Sequence, residues 1–248
     1  MSLPDDYMRY EKRRRGMDHD RYEWSALPQR AGVTWPNGAK VALFISPAIE
    51  FFPLNMANKP FAPPGAMSKA YPDIRHYTLR DYGNRVGIYR VMEVLDARKL
   101  RVSAAVDAAC ARRYPSLMKE MTGRGWEIIA HGIDRDHLHY GGMDTDAETA
   151  WVDQPLSTIE SATGRKPRGW LSPANSQSHN TPDILRSRGV EYVVDWVNDD
   201  MPYWMNTSAG PICCMPRSAD IDDHAILIRD HQSEDEFTTQ LIDQFDGL

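Results

Sequence analysis

Along the chain, short apolar runs alternate with segments whose apolar residues recur every three or four positions. The runs cover residues 41–45, 102–106, 126–130, 168–171, 190–194 and 212–215. Runs of four or five apolar residues between turn signals predict strands buried on both faces. Residues 82–98 have helical spacing, with Val86, Tyr89, Val91, Val94 and Leu95 as the stripe and Asp81 as the cap. Residues 115–121 form a shorter helix closed by Gly123 and Gly125. Asp144 or Asp146 caps a helix reaching about Thr163 and closed by Gly164, in which Pro155 predicts a kink or a later start. A helix over 181–188 has Pro182 in its first turn and Gly189 behind it, and Ser233 caps a last helix over 234–245. Residues 1–39 read as an irregular arm, and 51–78, with five prolines, as a binding loop or lid.

Six strands alternating with helices predict a parallel sheet with right-handed crossovers. Polar residues stand at nearly every strand end, which favours a (β/α) barrel over 40–248; a doubly wound open sheet is the alternative. After the last helix a barrel places another strand, and the chain stops at Leu248. The expectation is therefore a distorted barrel, incomplete at its C-terminus, with its site unfinished beside the first strand.

Composition narrows the partners. With 42% hydrophobic residues a sizeable core can form, and a net charge of −6 argues against nucleic acid or an anionic membrane as the main partner. The longest apolar run, 41–52, is broken by Pro47 and Glu50 and is too short to span a bilayer. The polar opening 1–10 predicts no secretory signal. The basic run 12–15 reads as a solvated arm or an oligomer contact. Cys110, Cys213 and Cys214 are odd in number and lack metal spacing, which points to reduced thiols and a cytoplasmic location. A small-molecule substrate and a homo-oligomer are expected.

The chemistry gathers at the strand ends: Glu50, Asp107, His131, the loop 172–180, Asp195 with Asn198, Asp199 and Asp200, and Asp223. The stretch 126–137 runs from an apolar strand straight into a polar loop headed by His131. A histidine there can move protons, bind a metal, or simply hydrogen-bond nearby backbone. A carboxylate and a histidine facing one pocket supply a general base and a general acid, or hold a metal that activates water. A histidine-x-x-x-histidine zinc pair needs histidine at 135, where Arg135 stands. Trp170 and the cluster 195–200 offer an indole and polar groups to a substrate, or core packing and Asx turns. The segment 123–125 precedes a strand and is no phosphate loop, and no G-x-S-x-G is present.

From about residue 38 onward these pieces resemble the polysaccharide deacetylase (NodB-type) superfamily. Residues 41–50 take the place of its T-F-D-D motif, 131–135 of its H-[ST]-x-x-H motif, and 170–173 of its R-x-P-x motif. The aspartate pair is absent, with Glu50 nearby; the second histidine is Arg135; and the arginine is Leu171. With the run 80–87, the turn 130–132 and the cluster 195–200, the chain is similar to the divergent allantoinase-like and cyclic-imide hydrolase branch. The resemblance implies a distorted (β/α) barrel that hydrolyses a small cyclic amide, imide or ureide. Glu50 and His131 are the implied catalytic pair. Arg85, Trp170, Asn198, Asp199 and Asp223 are the implied substrate-binding residues, and backbone N–H groups at 172–175 the oxyanion donors. The cofactor is either a divalent metal such as zinc, held by Glu50 and His131, or none. A zinc-dependent sugar deacetylase and a non-catalytic binding member are the alternatives.

Overall fold

A computed structural model of the chain describes residues 19–56 and 72–248. The basic run and most of the proline-rich loop lie outside these residues. The strands are β1 (Ala48–Ile49), β2 (Ser103–Val106), β3 (Glu127–Ala130), β4 (Gly169–Trp170), β5 (Tyr192–Val193), β6 (Tyr203–Met205) and β7 (Ile212–Cys214). They form one sheet in the order β1-β2-β3-β4-β5-β7-β6, parallel except for the antiparallel β6–β7 pair. The described sheet is open, with β1 at one edge and β6 at the other.

Alternation along the strands sorts side chains between two faces. Val106, Ala130, Trp170 and Val193 pack with Met92, Leu117, Val152, Ile159 and Leu185 from the helices. Their neighbours Ala105, Ile129, Leu171 and Val194 form a smaller cluster on the opposite face. All eight of these residues, six in strands and two directly after them, are almost fully buried, as the near-continuous apolar runs require. The expectation fails for 41–45. That segment is not a strand, Ala42 and Leu43 are exposed, and it meets β2 where the Ile45 carbonyl accepts from Ser103 N–H. It runs along the edge of the described sheet, where among the described residues no strand pairs on its other side.

The helices are α1 (Ile74–Tyr82), α2 (Ile88–Ala97), α3 (Ala108–Arg113), α4 (Pro115–Gly123), α5 (Thr145–Thr163), α6 (Thr181–Ser187) and α7 (Glu234–Gly247). The helix expected from residue 82 starts eight residues earlier, at Ile74, where Asp73 and not Asp81 caps it. A π-helical turn, Gly83–Gly87, joins α1 to α2. Asp144 caps α5, which runs through the buried Pro155 without a later start, and Gly164 closes it in the left-handed region. Ser233 caps α7 in a capping box. Two elements had no counterpart in the sequence reading: α3, directly behind β2, and β6.

The arm is tied to the far end of the chain. Arg21 pairs with Asp183 at 2.6 Å, donates through Nη1 to the Asn206 carbonyl, and accepts from Asn206 N–H at its own carbonyl. The Tyr22 ring lies 5.0 Å from that of Tyr203 and 5.8 Å from that of Trp196. Arg30 pairs with Asp199.

Two glycines are set by close approach. A Cβ on Gly169 would lie 2.5 Å from the Tyr192 ring atom Cε2 and 2.6 Å from its hydroxyl oxygen. Gly132 has φ +70°, and a Cβ there would lie 2.8 Å from Pro173 Cδ. Gly132→Ala combines left-handed strain with a clash against a rigid ring. We expect it to destabilise the fold by about 2–4 kcal/mol, read as a lower urea midpoint; an unchanged midpoint would mean that the 131–135 loop does not seat on Pro173.

Candidate functional site

The carboxyl ends of β1 to β5 bring Glu50, Asp107, His131, Ser172 and Asp195 toward one region. Phe51 N–H donates to Asp107 Oδ2 at 2.5 Å, and Cys110 N–H to its Oδ1 at 2.6 Å, so Asp107 caps α3 and pins the residue after Glu50. The loop behind β3 is sewn to the same place. Ala108 and Ala109 N–H donate to the carbonyls of Gly132 and Ile133, and Arg135 N–H to that of Phe51. The unsatisfied donors of a helix start are thereby used to hold the loop that carries His131 and Arg135. Asn84, in the π turn, donates to the Glu50 carbonyl at 2.9 Å; a π turn in this place re-aims a side chain inward.

His131 is buried, and both its nitrogens are engaged. Nδ1 lies 2.7 Å from the Leu171 carbonyl oxygen, and Nε2 lies 2.8 Å from Glu50 Oε1. A carbonyl only accepts, and a neutral imidazole has one N–H. A second proton must therefore lie in the Glu50–His131 contact. Burial pushes the Glu50 carboxyl up, but the hydrogen bond from His131 and the charges of His131, Arg135 and Arg80 outweigh it and hold the group at about 2. Glu50 thus faces His131 as a carboxylate, with Nε2 against its Oε1.

Arg135 Nη1 approaches the same Glu50 oxygen, Oε1, at 3.2 Å. Arg80 stacks its guanidinium 3.5 Å from the Phe52 ring centroid, and that of Arg135 lies 5.4 Å from it. Glu50 Oε1 thus carries both contacts, and the carboxylate keeps 23% of its side-chain surface.

A second layer of carboxyls stands behind the pair. Asp195 accepts from Ser172 N–H at 2.6 Å and from the Gln177 amide at 2.8 Å. Burial pushes both Asp107 and Asp195 up to about 6, against the pull of these hydrogen bonds and of His131. Further out, Glu148 on α5 is fully buried and bonds His139, Ser178 and Thr181 at 3.0, 2.6 and 2.5 Å, which locks the loops after β3 and β4 together.

The other expected site residues lie elsewhere. Arg85 is exposed and pairs with Asp81. Trp170 is fully buried on the helix-facing side, donating to Ser172 Oγ at 2.8 Å, so a substrate has no indole surface to stack on. Its parity along β4 places it opposite Leu171, on the wrong face. Asn198 bridges Tyr22 and Tyr203, and Asp199 holds Arg30, so both fasten the arm. Asp223 is exposed and accepts from His224 N–H at the start of a π-helical segment. The oxyanion donors expected at 172–175 are also largely committed. Ser172 N–H goes to Asp195, Asn175 N–H to the Ser172 carbonyl, and Pro173 has none.

The donor set does not fit zinc. A catalytic zinc needs three protein ligands and an open position. Here Glu50 and His131 converge, but the third direction is filled by a guanidinium, which has no lone pair to give. Among the described residues no group of three or more histidine, cysteine, aspartate or glutamate side chains can hold a metal ion.

Comparison with known proteins places these residues in context. The polysaccharide deacetylase family model matches residues 75–193. A peptidoglycan deacetylase-like protein, FGM2 of Gibberella zeae, is 24% identical over 138 residues; the match spans 55% of this chain and 40% of that one. The crystal structure of Puue allantoinase superposes with a TM-score of 0.74 at 24% identity, covering 86% of this chain and 73% of that one. A chain from Pseudomonas aeruginosa PAO1, described as a probable polysaccharide deacetylase, gives 0.71 at 24% identity over 86% and 74%. At this identity the structural likeness is one of fold. Among the described residues no helix is long and apolar enough to cross a membrane.

The raised carboxyls make stability depend on pH. An unfolded aspartate titrates at about 3.9, and Asp107 and Asp195 at about 6 when folded. Between these values the folded chain binds more protons, so their effect is that stability falls as pH rises through the window and levels off above it. Glu50 acts oppositely: its stabilisation is present above its ordinary value of 4.5 and is lost as pH falls toward about 2. In Asp195→Asn the amide oxygen still accepts from Ser172 N–H while one titrating group is gone. Urea midpoints measured at about pH 4.5 and about pH 7 should differ by a smaller fall in the variant than in the wild type; equal falls would clear Asp195 of this role.

Proposed function

We propose that this chain, which the polysaccharide deacetylase family model matches over residues 75–193, is a hydrolase of carbon–nitrogen bonds other than peptide bonds, acting on a small cyclic amide, imide or ureide. One observation carries this reading: a buried imidazole and a carboxylate share a 2.8 Å contact at Glu50 Oε1, while the carboxylate remains partly open. The pair holds a proton acceptor and a proton donor side by side, which is what amide hydrolysis needs.

In this mechanism Glu50 Oε2 orients a water against the substrate carbonyl carbon and takes its proton as the C–O bond forms. His131 gives its Nε2 proton to the amide nitrogen as the C–N bond breaks. The proton on Glu50 then returns to His131 across their contact, and the pair is restored. The Leu171 carbonyl keeps the ring in one orientation throughout by accepting from Nδ1. A donor set that excludes a third metal ligand favours this route over zinc-bound water, and favours cyclic amides over acetylated sugars.

The test is a panel of hydantoins, cyclic imides, allantoin and N-acetylated sugars, assayed with and without chelator. Turnover of a cyclic amide that survives chelation is expected. His131→Ala and Glu50→Gln should each lower kcat by about 100- to 10,000-fold with the fold intact by circular dichroism. Turnover confined to acetylated sugars and abolished by chelation would replace this reading with a metal-dependent deacetylase.

A further inference from the structure

We propose that Arg217 reads the end of the substrate remote from the scissile bond, and that the preferred cyclic amide carries a substituent with a carboxylate or carbonyl oxygen. The inference rests on the hydrolase reading above and names the group that its substrate bears. Arg85, the arginine first expected to bind substrate, pairs instead with Asp81.

Alternation along the strands places Arg217. One rung of the sheet joins Ile49, Val106, Ala130, Trp170, Val193 and Cys214. The residue after each lies on the opposite face, which puts Glu50, His131 and Met215 in one layer. Met215 packs there against the cluster of Ala105, Ile129, Leu171 and Val194. Arg217 follows Met215 by two residues and so belongs to the next layer on that face, about 7 Å further toward the carboxyl ends of the strands.

Its side chain crosses the end of β5. In the sheet β7 neighbours β5, and β5 neighbours β4. Arg217 Nη2 donates to Oδ1 of Asn175, behind β4, at 2.9 Å. The next strand is β3, which delivers His131. The guanidinium is thereby brought to within one strand spacing and one layer of the Glu50–His131 pair, on the order of 10 Å. That is the length of a small ring with a short substituent.

The arginine is held there with donors to spare. Nη1 pairs with Asp222 Oδ2 at 3.1 Å, and Ala225 N–H fixes the other oxygen of Asp222. Ala174 and Asn175 both take left-handed φ, 56° and 54°. Two successive residues with a Cβ in that region are costly, and such strain collects at ligand clamps. Nε of Arg217 is buried and has no hydrogen-bond partner among the described residues, an unspent donor that an acceptor would satisfy. A guanidinium only donates, so Asn175 meets it with its oxygen and keeps its NH2 group as a further donor. Donors gathered round one cation are the complement of an acceptor oxygen. The Arg217 side chain keeps 30% of its surface, so such an oxygen can reach it.

The experiment compares three ligands built on one ring: 5-methylhydantoin, hydantoin-5-acetamide and hydantoin-5-acetate. On the wild-type chain, kcat/KM for the acetate or the acetamide should exceed that for the methyl compound by about 10- to 100-fold, the worth of a hydrogen bond to a charged donor. A gain confined to the acetate assigns it to charge, and a gain shared by the acetamide assigns it to hydrogen bonding. No gain with either overturns the proposal. A merely structural role would lower all three values together and leave their ratio alone. In Arg217→Met the ratio should fall to near one; a ratio within about twofold of the wild-type value overturns the proposal. Asn175→Asp keeps the oxygen that meets Arg217, leaves the Asp222 contact in place and replaces two donors by a negative charge. It should lower the ratio for the acetate, and an undiminished ratio also overturns the proposal. Calorimetric titration of the same ligands into wild type and Arg217→Met needs no turnover. Tighter binding of the acetate or acetamide than of the methyl compound, lost in the variant, is expected; equal binding, or none, overturns the proposal. If the wild type turns over no cyclic amide, the hydrolase reading fails, and the titration alone then decides whether Arg217 reads an acceptor oxygen.

Discussion

An imidazole ring that meets a carbonyl on one side and a carboxylate on the other has no neutral form that satisfies both contacts. His131 is in that position, between Leu171 and Glu50. The rest of the site follows from the need to keep one extra proton in a buried contact. Glu50 must stay ionised although it is buried, and His131, Arg135 and Arg80 are the charges that keep it so. The loops that carry these residues must hold their places closely, because a shift of an ångström would uncouple the pair. Asp107, the start of α3 and the left-handed turn at Gly132 are the parts that prevent that shift.

The buried carboxyls behind the pair follow the same logic at one remove. Asp107 and Asp195 are not aimed at a substrate; each accepts backbone N–H groups that would otherwise be orphaned at a strand end. Leaving such donors unpaired in a buried place costs about 1–3 kcal/mol each. Their second effect is electrostatic, since both lie close enough to His131 to feel its charge.

Much of this was legible in the sequence, and the failures have physical causes. The apolar runs that became β2 and β3 read correctly because each is buried on both faces. The run 41–45 misled because its pattern presumes burial on both faces, whereas it runs along the edge of the described sheet with Ala42 and Leu43 exposed. Glu50 and His131 could be paired from their places at strand ends, and the structure brings them into contact. Trp170 could have been excluded: it follows Gly169 in register with Ala130, so period-two alternation puts it among the helices. Helix α3 was concealed by its own cap, since Asp107 drew attention as a strand-end carboxylate while the alanine-rich segment behind it passed unread. Asn198 and Asp199 have the composition of a binding loop, and no local signal says that the ligand is the chain's own arm. The π turn that aims Asn84 has no signature apart from its glycines.

The attachment of that arm sets an order of events in the making of the molecule. Arg21 is bound to Asp183 and Asn206, which follow it by 162 and 185 residues. Against a local contact some ten residues away, closing so long a loop costs only about 2.5 kcal/mol more in chain entropy, so the attachment is thermodynamically easy. It is slow to become available. At roughly 5–20 residues per second on a ribosome, the partners of Arg21 emerge on the order of ten seconds or more after it does. Through that interval Tyr22 has neither Trp196 nor Tyr203 to pack against. The earliest-made described segment is thus the one that must wait longest, and its docking marks the moment at which the chain has been read as far as β6.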